Sequence, residues 1–267
     1  MQRSSTDKTK HMKNPTLKRI FFFLVILVFI LPLPLLFAKG RPAGSLSSMS
    51  IGTADSSVIP GNNKGATRSS VLYEDLQLDQ RGLSRQAFEY ALQGFEYLRQ
   101  NGEIENQDVI SIVDFSLPSS ARRLFVIDLN SHKILYNTYV AHGNRSGREY
   151  ASQFSNKPQS NKSSLGFYKT LSTYMGGHGY SLKLEGLERG INDNANKRAI
   201  VVHGAAYVSE GLVNAQGYIG RSLGCPALPE KLHKPIIDKI KDGSCLFIFA
   251  PDRNYLVSSR ILKEVVM

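Results

Sequence analysis

The spacing of hydrophobic positions along the chain changes near residue 120. Before it, apolar residues recur every three or four positions from Leu83 to Leu98, with charged and amide side chains between them. This spacing predicts an amphipathic helix, and Gly102 is placed to end it. We expect the apolar face of this helix to pack on the main domain, although an independent small module would show the same pattern.

Further along the chain, the apolar positions form short runs that are typical of strands. Two runs, residues 124–129 and 133–140, are separated by three polar residues, which predicts a β-hairpin. Further runs are separated by loops rich in Gly, Asn and Ser: residues 166–170, 180–184, 199–202 and 245–249. A short helix is expected around residues 235–241, with Pro235 near its first turn. The sum is an α+β, β-rich domain with a few short helices and an N-terminal helix.

The first 38 residues have the pattern of an export signal. Several basic residues between Lys8 and Arg19 precede an uncharged apolar run at residues 20–38. This arrangement is typical of a signal peptide or a signal anchor, and it sends the rest of the chain across the membrane. Pro32 and Pro34 favour a cleaved signal peptide, whereas the length of the run would also allow an inner-membrane anchor. Either way, the sequence predicts a location in the periplasm or cell envelope.

The predicted organisation has four parts. Residues 39–70 are rich in Gly, Ser, Asn and Ala, and such a stretch cannot bury enough surface to order itself. We therefore interpret them as a flexible linker that follows a signal peptide or signal anchor over residues 1–38. An N-terminal helical segment over residues 71–117 comes next, and a β-rich domain over residues 118–267 completes the chain.

Composition and charge change this picture little. The 267 residues are 42% hydrophobic and 21% charged, which is ordinary for a globular protein. The net charge is +11, and more than half of it lies in the first 40 residues. The mildly basic remainder suits an anionic wall polymer or a membrane surface. The sequence shows no basic helix and no aromatic–basic stacking motif, so nucleic acid is not an expected partner.

Candidate chemistry is concentrated in residues 199–228. An apolar strand delivers His203 at its end, a polar loop follows, and Cys225 lies in a tight Gly-Cys-Pro turn. A thiol becomes a strong nucleophile only as a thiolate, and a nearby His both removes the proton and stabilises the anion. We therefore predict an acyl-transfer site with Cys225 as the nucleophile and His203 as its base.

Two glycines beside this pair suit the same chemistry. Gly224 lacks a Cβ, so the backbone can come close to a bound substrate. The N–H groups of Gly224 and Cys225 could then bind the oxygen that becomes negative when a carbonyl is attacked. The carbonyl of Gly204 could fix the tautomer of His203, the role that Asp plays in a serine-protease triad.

Other polar residues are candidates for binding substrate. Arg221 could bind a carboxylate through its planar fork, or remain solvated, and Ser222 could hold the turn by a local hydrogen bond. Tyr180 could supply a phenol to the oxyanion site, but packing in a strand explains it equally well. His178 and His142 lie in Gly-rich loops, where they either line a cleft or belong to simple turns.

The remaining candidates have structural interpretations. Cys245 lies in an apolar strand, as a buried structural thiol does. A disulfide between Cys225 and Cys245 is the alternative, in which case the chain would be a non-catalytic wall-binding protein. Lys197 and Arg198, just before the His strand, are expected to form a solvated edge. A zinc site built from His178, His203 and Cys225 is not predicted, because the sequence has no HExxH or paired CxxC spacing. The thiol chemistry requires no cofactor.

These motifs resemble those of a known family, the YkuD-like L,D-transpeptidases of the bacterial cell wall. The family signature is a strand ending in His-Gly, a variable loop, and then Ser or Thr, any residue, Gly and Cys. Here His203-Gly204 and Ser222-x-Gly224-Cys225 match it. The resemblance implies a β-sandwich or barrel fold. It also implies that a peptidoglycan stem peptide acylates Cys225, with His203 as the base and the carbonyl of Gly204 orienting it.

Departures from the signature fit a divergent branch, the murein L,D-transpeptidase catalytic-domain proteins. Leu223 stands where the family usually has a second His, and Pro226 and Ala227 follow the Cys where an Arg is common. The resemblance covers about residues 118–250. It implies an enzyme that attacks a meso-diaminopimelate-centred stem peptide and passes the acyl group to an amine. With water as the acceptor, the same site would be an L,D-carboxypeptidase or endopeptidase.

Overall fold

The computed structural model describes residues 68–264. The predicted export segment over residues 1–38, and the predicted linker up to residue 67, lie outside them. No helix within the described range combines the length and the apolar character that crossing a bilayer requires.

The described range folds into six helices and eight strands. In chain order, the elements are α1 (Arg68–Asp75), α2 (Arg85–Gln100), β1 (Asn106–Asp114), β2 (Leu124–Asp128), β3 (Lys133–Thr138), β4 (Gly166–Gly176), β5 (Gly179–Gly186), β6 (Val201–Gly204), α3 (Glu210–Gln216), β7 (Ala227–Leu228), α4 (Glu230–Ile240), β8 (Ser244–Phe249), α5 (Arg253–Ser258) and α6 (Arg260–Glu264).

All eight strands belong to one sheet, in the order β3-β2-β1-β8-β4-β5-β6-β7. The β1–β8 and β6–β7 pairs are parallel, and the other neighbours are antiparallel. Just beyond β3, Ala141 forms a bridge with Ala227 of β7, so the two edges of the sheet meet there. This nearly closed sheet with a few short helices confirms the predicted β-rich α+β fold.

The strands that carry the site follow the sequence pattern closely. The predicted hairpin is the antiparallel pair β2–β3. The run predicted at residues 199–202 begins at Val201 and extends to Gly204, so His203 belongs to the strand. The helix predicted around residues 235–241 begins earlier, at Glu230, and Pro235 lies inside it. The first-turn position expected for Pro235 is therefore wrong, because the helix starts directly after another proline, Pro229.

Strand β1 was missed by the sequence reasoning. It lies between β2 and β8, and all of its residues from Val109 to Asp114 are buried. The buried stretch is interrupted by Ser111 and ends at Asp114, so it is neither a continuous apolar run nor a clear alternation of buried and exposed positions. The segment over residues 71–117 therefore contains a central strand of the sheet in addition to its helices.

Helix α2 packs on this sheet through one buried face. The hydroxyl of Ser84 caps its first turn by accepting the N–H of Ala87, as serine commonly does before a helix. Its buried residues and those of the sheet belong to one continuous hydrophobic core. The closest approach is at Gly94, where an added Cβ would lie 2.0 Å from Cζ of Phe167 in β4.

We expect Gly94→Ala to destabilise the fold by about 2 kcal/mol, even though alanine favours a helix over glycine. Phe167 is fully buried and stacks on Phe247 with ring centroids 4.2 Å apart, so it has little room to retreat. Urea unfolding of the variant gives the change directly. Gln86→Ala, on the exposed face of the same helix, is the control and is expected to stay within about 0.5 kcal/mol of the wild type. A fully stable Gly94→Ala protein would contradict the close packing of α2 on the sheet.

Candidate active site

Strand β6 holds His203 between two neighbouring strands. Its residue partners are Ser181 on β5 and Ala227 on β7. The side chain is buried, and Nδ1 lies 2.9 Å from the carbonyl oxygen of Gly204. An Nδ1–H donated to this carbonyl leaves Nε2 without a proton, which is the tautomer that a general base needs.

A hydrogen-bonded turn presents Cys225. The hydroxyl of Ser222 accepts the N–H of Gly224 at 3.0 Å and donates to the carbonyl of Cys225 at 2.6 Å. Gly224 has a φ of +128°, and a Cβ there would lie 2.9 Å from the carbonyl oxygen of Lys162. This position requires glycine because of both its backbone angle and the close approach of the neighbouring chain.

The two N–H groups considered as oxyanion donors differ in availability. The N–H of Gly224 donates to Ser222 Oγ, so it is already used within the turn. Among residues 68–264, nothing accepts the N–H of Cys225. The structure therefore leaves the Cys225 N–H available to a substrate oxygen, and the Gly224 N–H is not free for that role.

The sulfur of Cys225 rests against the start of β6. Sγ lies 3.5 Å from the N of Val201 and 3.7 Å from the carbonyl oxygen of Ala199. His203 is two residues from Val201, about 7 Å along the strand, and within the described range no hydrogen bond joins its ring to Sγ. Burial raises the pKa of the Cys225 thiol, while the Val201 N–H and the positive charge of Arg198 oppose this effect. The resting site therefore favours a neutral thiol.

Two further histidines surround His203. The ring of His178, in the β4–β5 turn, stacks on His203 with centroids 4.3 Å apart and an interplanar angle of 19°. A Cβ on Gly204 would lie 2.6 Å from Nδ1 of His233, so this glycine also makes room for the His233 ring. Burial lowers the pKa of His203, the Gly204 carbonyl opposes this, and His178 and His233 lower it further. A neutral His203 is the form able to accept a proton.

We expect His178→Asn to raise the pKa of His203 toward the usual value of a histidine. The stacked ring keeps water from His203 and adds a like charge when protonated, and both effects hold the pKa down. A histidine can accept a proton only when neutral, so the acid limb of any rate profile that depends on a neutral His203 moves to higher pH. An NMR titration of the His203 ring measures the shift. His132→Asn, in the turn between β2 and β3, is the matched control, and an unchanged His203 titration in His178→Asn would count against this account.

Two predicted binding residues have other partners. The hydroxyl of Tyr180 donates to Oδ1 of Asp238 in α4 at 2.6 Å. This phenol is engaged by the helix and is not directed at the oxyanion site. Arg221 is exposed and donates to the carbonyl of Gly147 at 3.3 Å, which leaves most of its guanidinium in solvent.

His142 lies behind the turn that carries Cys225 instead of lining a cleft. Its carbonyl accepts the N–H of Ser222 at 2.9 Å. The buried Arg123 lies 2.7 Å from its Nδ1, and the carbonyl of Gly147 lies 3.2 Å from its Nε2. Burial and the charge of Arg123 lower the pKa of His142 to about 4. The ring is therefore neutral near pH 7 and supports the turn from within the core.

Sequence reasoning missed two residues beside Cys225. Arg198 was expected to be solvated with Lys197, but it is half-buried and donates to the carbonyl of Lys162 at 2.6 Å. Tyr207 is also half-buried, and burial followed by the nearby Cys225 raises its pKa to about 12. The position of each residue beside Cys225 is visible only in the folded chain. In the sequence, Arg198 and Lys197 form one basic pair that does not distinguish them.

Comparison with known proteins identifies the family of the chain. The profile of the L,D-transpeptidase catalytic domain matches residues 79–249. A comparison with curated protein sequences gave no match. Among solved structures, the L,D-transpeptidase from Mycobacterium smegmatis is 15% identical, with a TM-score of 0.32 over 54% of this chain and 59% of that one. The present chain thus spans less than two thirds of that enzyme.

Two other structures show comparable likeness. The L,D-transpeptidase from Xylanimonas cellulosilytica is 14% identical, with a TM-score of 0.30 over 66% of this chain and 93% of that one. The helical cell shape determining protein Pgp2 from Campylobacter jejuni is 12% identical, with a TM-score of 0.34 over 58% of this chain and 54% of that one. The family profile covers more than half of the present chain, which therefore belongs to the L,D-transpeptidase catalytic domain family.

Proposed function

We propose that this protein is a peptidoglycan L,D-transpeptidase that forms an acyl-enzyme on Cys225. The observation that carries the proposal is the turn from Ser222 to Cys225, which seats a thiol against the strand that holds His203. A buried imidazole with Nδ1 on a carbonyl and a neighbouring free thiol is the pair that thiol acyl transfer requires. Membership of the family supports a substrate from the peptidoglycan wall.

The reaction begins with transfer of the Cys225 proton to Nε2 of His203. Because Sγ rests on Val201 and Ala199, the side chain has to turn toward His203 as the substrate binds. The thiolate then attacks the carbonyl carbon of the meso-diaminopimelate residue, and the oxygen that becomes negative accepts the Cys225 N–H. The C–N bond to the terminal residue breaks, and the leaving amine takes the proton from His203.

The second half of the reaction releases the acyl group. An amine from a neighbouring stem peptide attacks the thioester carbonyl, and His203 takes the proton that this amine loses. When the C–S bond breaks, the proton returns to the Cys225 sulfur and the site is restored. With water in place of the amine, the same steps give hydrolysis, so the acceptor decides between a transpeptidase and an L,D-carboxypeptidase or endopeptidase.

Mass spectrometry of the products tests this proposal. The full-length protein is mixed with purified disaccharide-tetrapeptide, and cross-linked dimers are the expected product. Tripeptide alone would assign an L,D-carboxypeptidase that uses the same pair of residues. An untouched substrate, together with no titratable thiol on the exported protein, would favour the non-catalytic wall-binding alternative and overturn the proposal.

We infer that the protein is exported and acts in the cell envelope. Its partners would be peptidoglycan stem peptides, and it would contact the membrane only through residues 20–38. Fractionation of cells that produce the full chain provides the test. Recovery from the periplasm or the inner membrane is expected, and recovery from the cytosol alone would contradict the proposed export.

A further inference from the structure

The half-buried side chain of Arg198 binds a single loop, residues 155–164, through two of its nitrogens. All four acceptors are uncharged oxygens of that loop: the carbonyl of Ser155 at 2.8 Å, the hydroxyl of Ser164 at 3.2 Å, the hydroxyl of Ser160 at 3.3 Å and the carbonyl of Lys162 at 2.6 Å. Within residues 68–264, no carboxylate bonds to this guanidinium, so its positive charge is not neutralised there.

The same loop contacts the residue that precedes the nucleophile. The buried hydroxyl of Ser163 accepts the N–H of Gly143 at 3.0 Å and donates to the carbonyl of Gly224 at 3.3 Å. A Cβ on Gly224 would lie 2.9 Å from the carbonyl oxygen of Lys162 and 3.3 Å from Nη2 of Arg198. Arg198 and its loop therefore form one wall of the turn that carries Cys225.

The charge of Arg198 also acts on the sulfur. It opposes the effect of burial on the pKa of the Cys225 thiol, and a Cys225 thiolate in turn opposes the burial that lowers the pKa of Arg198. The phenol of Tyr207 also faces this thiol and stays neutral, because burial and Cys225 raise its pKa to about 12. The fully buried phenol of Tyr168 faces Arg198, and burial raises its pKa as well. Within residues 68–264, Arg198 is the positive charge that lowers the pKa of the Cys225 thiol.

We propose that Arg198 is the positioning residue of the nucleophile. It fixes residues 155–164 against the Gly224–Cys225 turn and keeps a positive charge beside the sulfur. The role rests on the proposed function in one respect, since it takes Cys225 to be the nucleophile. Four acceptors in two directions need the planar fork of a guanidinium, whereas a lysine ammonium in the same place is a single point of donation.

The pH dependence of Cys225 alkylation tests the charge. Iodoacetamide labelling of the full-length protein is followed by intact mass for the wild type and Arg198→Gln. Labelling reports the thiolate, so in Arg198→Gln the midpoint should move to higher pH and the rate at pH 7 should fall about threefold to tenfold. Lys197→Gln removes the same charge from the adjacent exposed residue and should keep the wild-type profile. Cys225→Ser reports any labelling of Cys245.

Arg198→Lys tests the hydrogen bonds to residues 155–164 separately from the charge, because it keeps the positive charge and loses the planar guanidinium. Its alkylation midpoint should stay near that of the wild type, while amide hydrogen exchange across residues 155–164 becomes faster. A folded Arg198→Gln protein whose profile superimposes on that of the wild type would overturn the role of the charge. If amide hydrogen exchange across residues 155–164 is the same in Arg198→Lys as in the wild type, Arg198 does not hold this loop in place. If Arg198→Gln does not melt cooperatively, Arg198→Lys alone is used to judge the proposal. Iodoacetamide labelling does not depend on a peptide substrate. A wild-type protein that transfers no stem peptide would therefore count against the proposed function and not against the positioning role of Arg198.

Discussion

Cys225→Ala should lower acyl transfer by about 10⁴-fold or more, to the level that binding and backbone donors alone provide. No other thiol can replace it, because Cys245 is fully buried in β8 and burial raises its pKa far above the usual range. Among the described residues, the sulfur of Cys225 makes two long hydrogen-bond contacts, to Val201 and Ala199, and the side chain is partly buried against the core. We therefore expect the stability of the fold to stay within about 1 kcal/mol of the wild type. Product yields measured by mass spectrometry, together with a thermal melt, check both statements.

Cys245→Ala is the matched control for this experiment. It removes the other thiol from the core of the sheet, where we expect a stability cost of about 1–2 kcal/mol and unchanged chemistry. Transfer that survives in Cys225→Ala would rule out Cys225 as the nucleophile. Transfer lost in a folded Cys245→Ala protein would show that reactivity cannot be assigned to Cys225 alone.

The closure of the sheet explains how a short segment becomes a site. The bridge between Ala141 and Ala227 is followed by backbone hydrogen bonds that join His142 and Asn144 to Ser222. The segment after β3 thus runs beside the turn that carries Cys225, and β6 lies on the other side of β7 from this segment. The turn that carries Cys225 is therefore held by backbone hydrogen bonds at both edges of the nearly closed sheet.

The parts of the site that the sequence predicts are local ones. An apolar run ending in His-Gly places His203 at a strand end, and the Ser-x-Gly-Cys pattern encodes its own turn through Ser222 Oγ. Both depend on residues that are neighbours in the chain, so the sequence alone shows them. Helix α2 is predictable for the same reason, since its buried residues recur with the helical period. Strand β2 is a short, continuously buried apolar run next to a polar turn, which is also a local signal.

The parts that the sequence does not predict depend on distant segments. Arg198 binds residues 155–164, which lie about forty positions earlier, and no spacing rule relates the two. The Tyr180 phenol is engaged by Asp238 because α4 packs beside β5, a contact that only the tertiary fold creates. Charge, burial and hydrogen bonding of such residues follow from topology, and the local pattern is silent on them.

Gly224→Ala should both destabilise the fold and slow acyl transfer. A φ of +128° is strained for any residue with a side chain, and the new Cβ would lie 2.9 Å from a backbone oxygen, Lys162 O, that cannot swing away. We expect a stability loss of about 1–3 kcal/mol and a fall in acyl transfer of about 100-fold or more, because the turn displaces Sγ and the Cys225 N–H together. Urea unfolding and initial transfer rates measure the two effects.

The control for this substitution is Gly211→Ala in helix α3, where the added Cβ meets only Ser209 Oγ at 4.0 Å. This glycine lies in a helix and has no positive φ, so alanine should leave transfer unchanged and the stability equal or slightly higher. If Gly224→Ala matches Gly211→Ala in both measurements, the turn is not the rigid holder of the nucleophile that its hydrogen bonds indicate. If transfer falls while the unfolding midpoint stays constant, the geometry of the turn acts on the chemistry directly, since the strain would then have been relieved by moving Cys225 and not by weakening the fold.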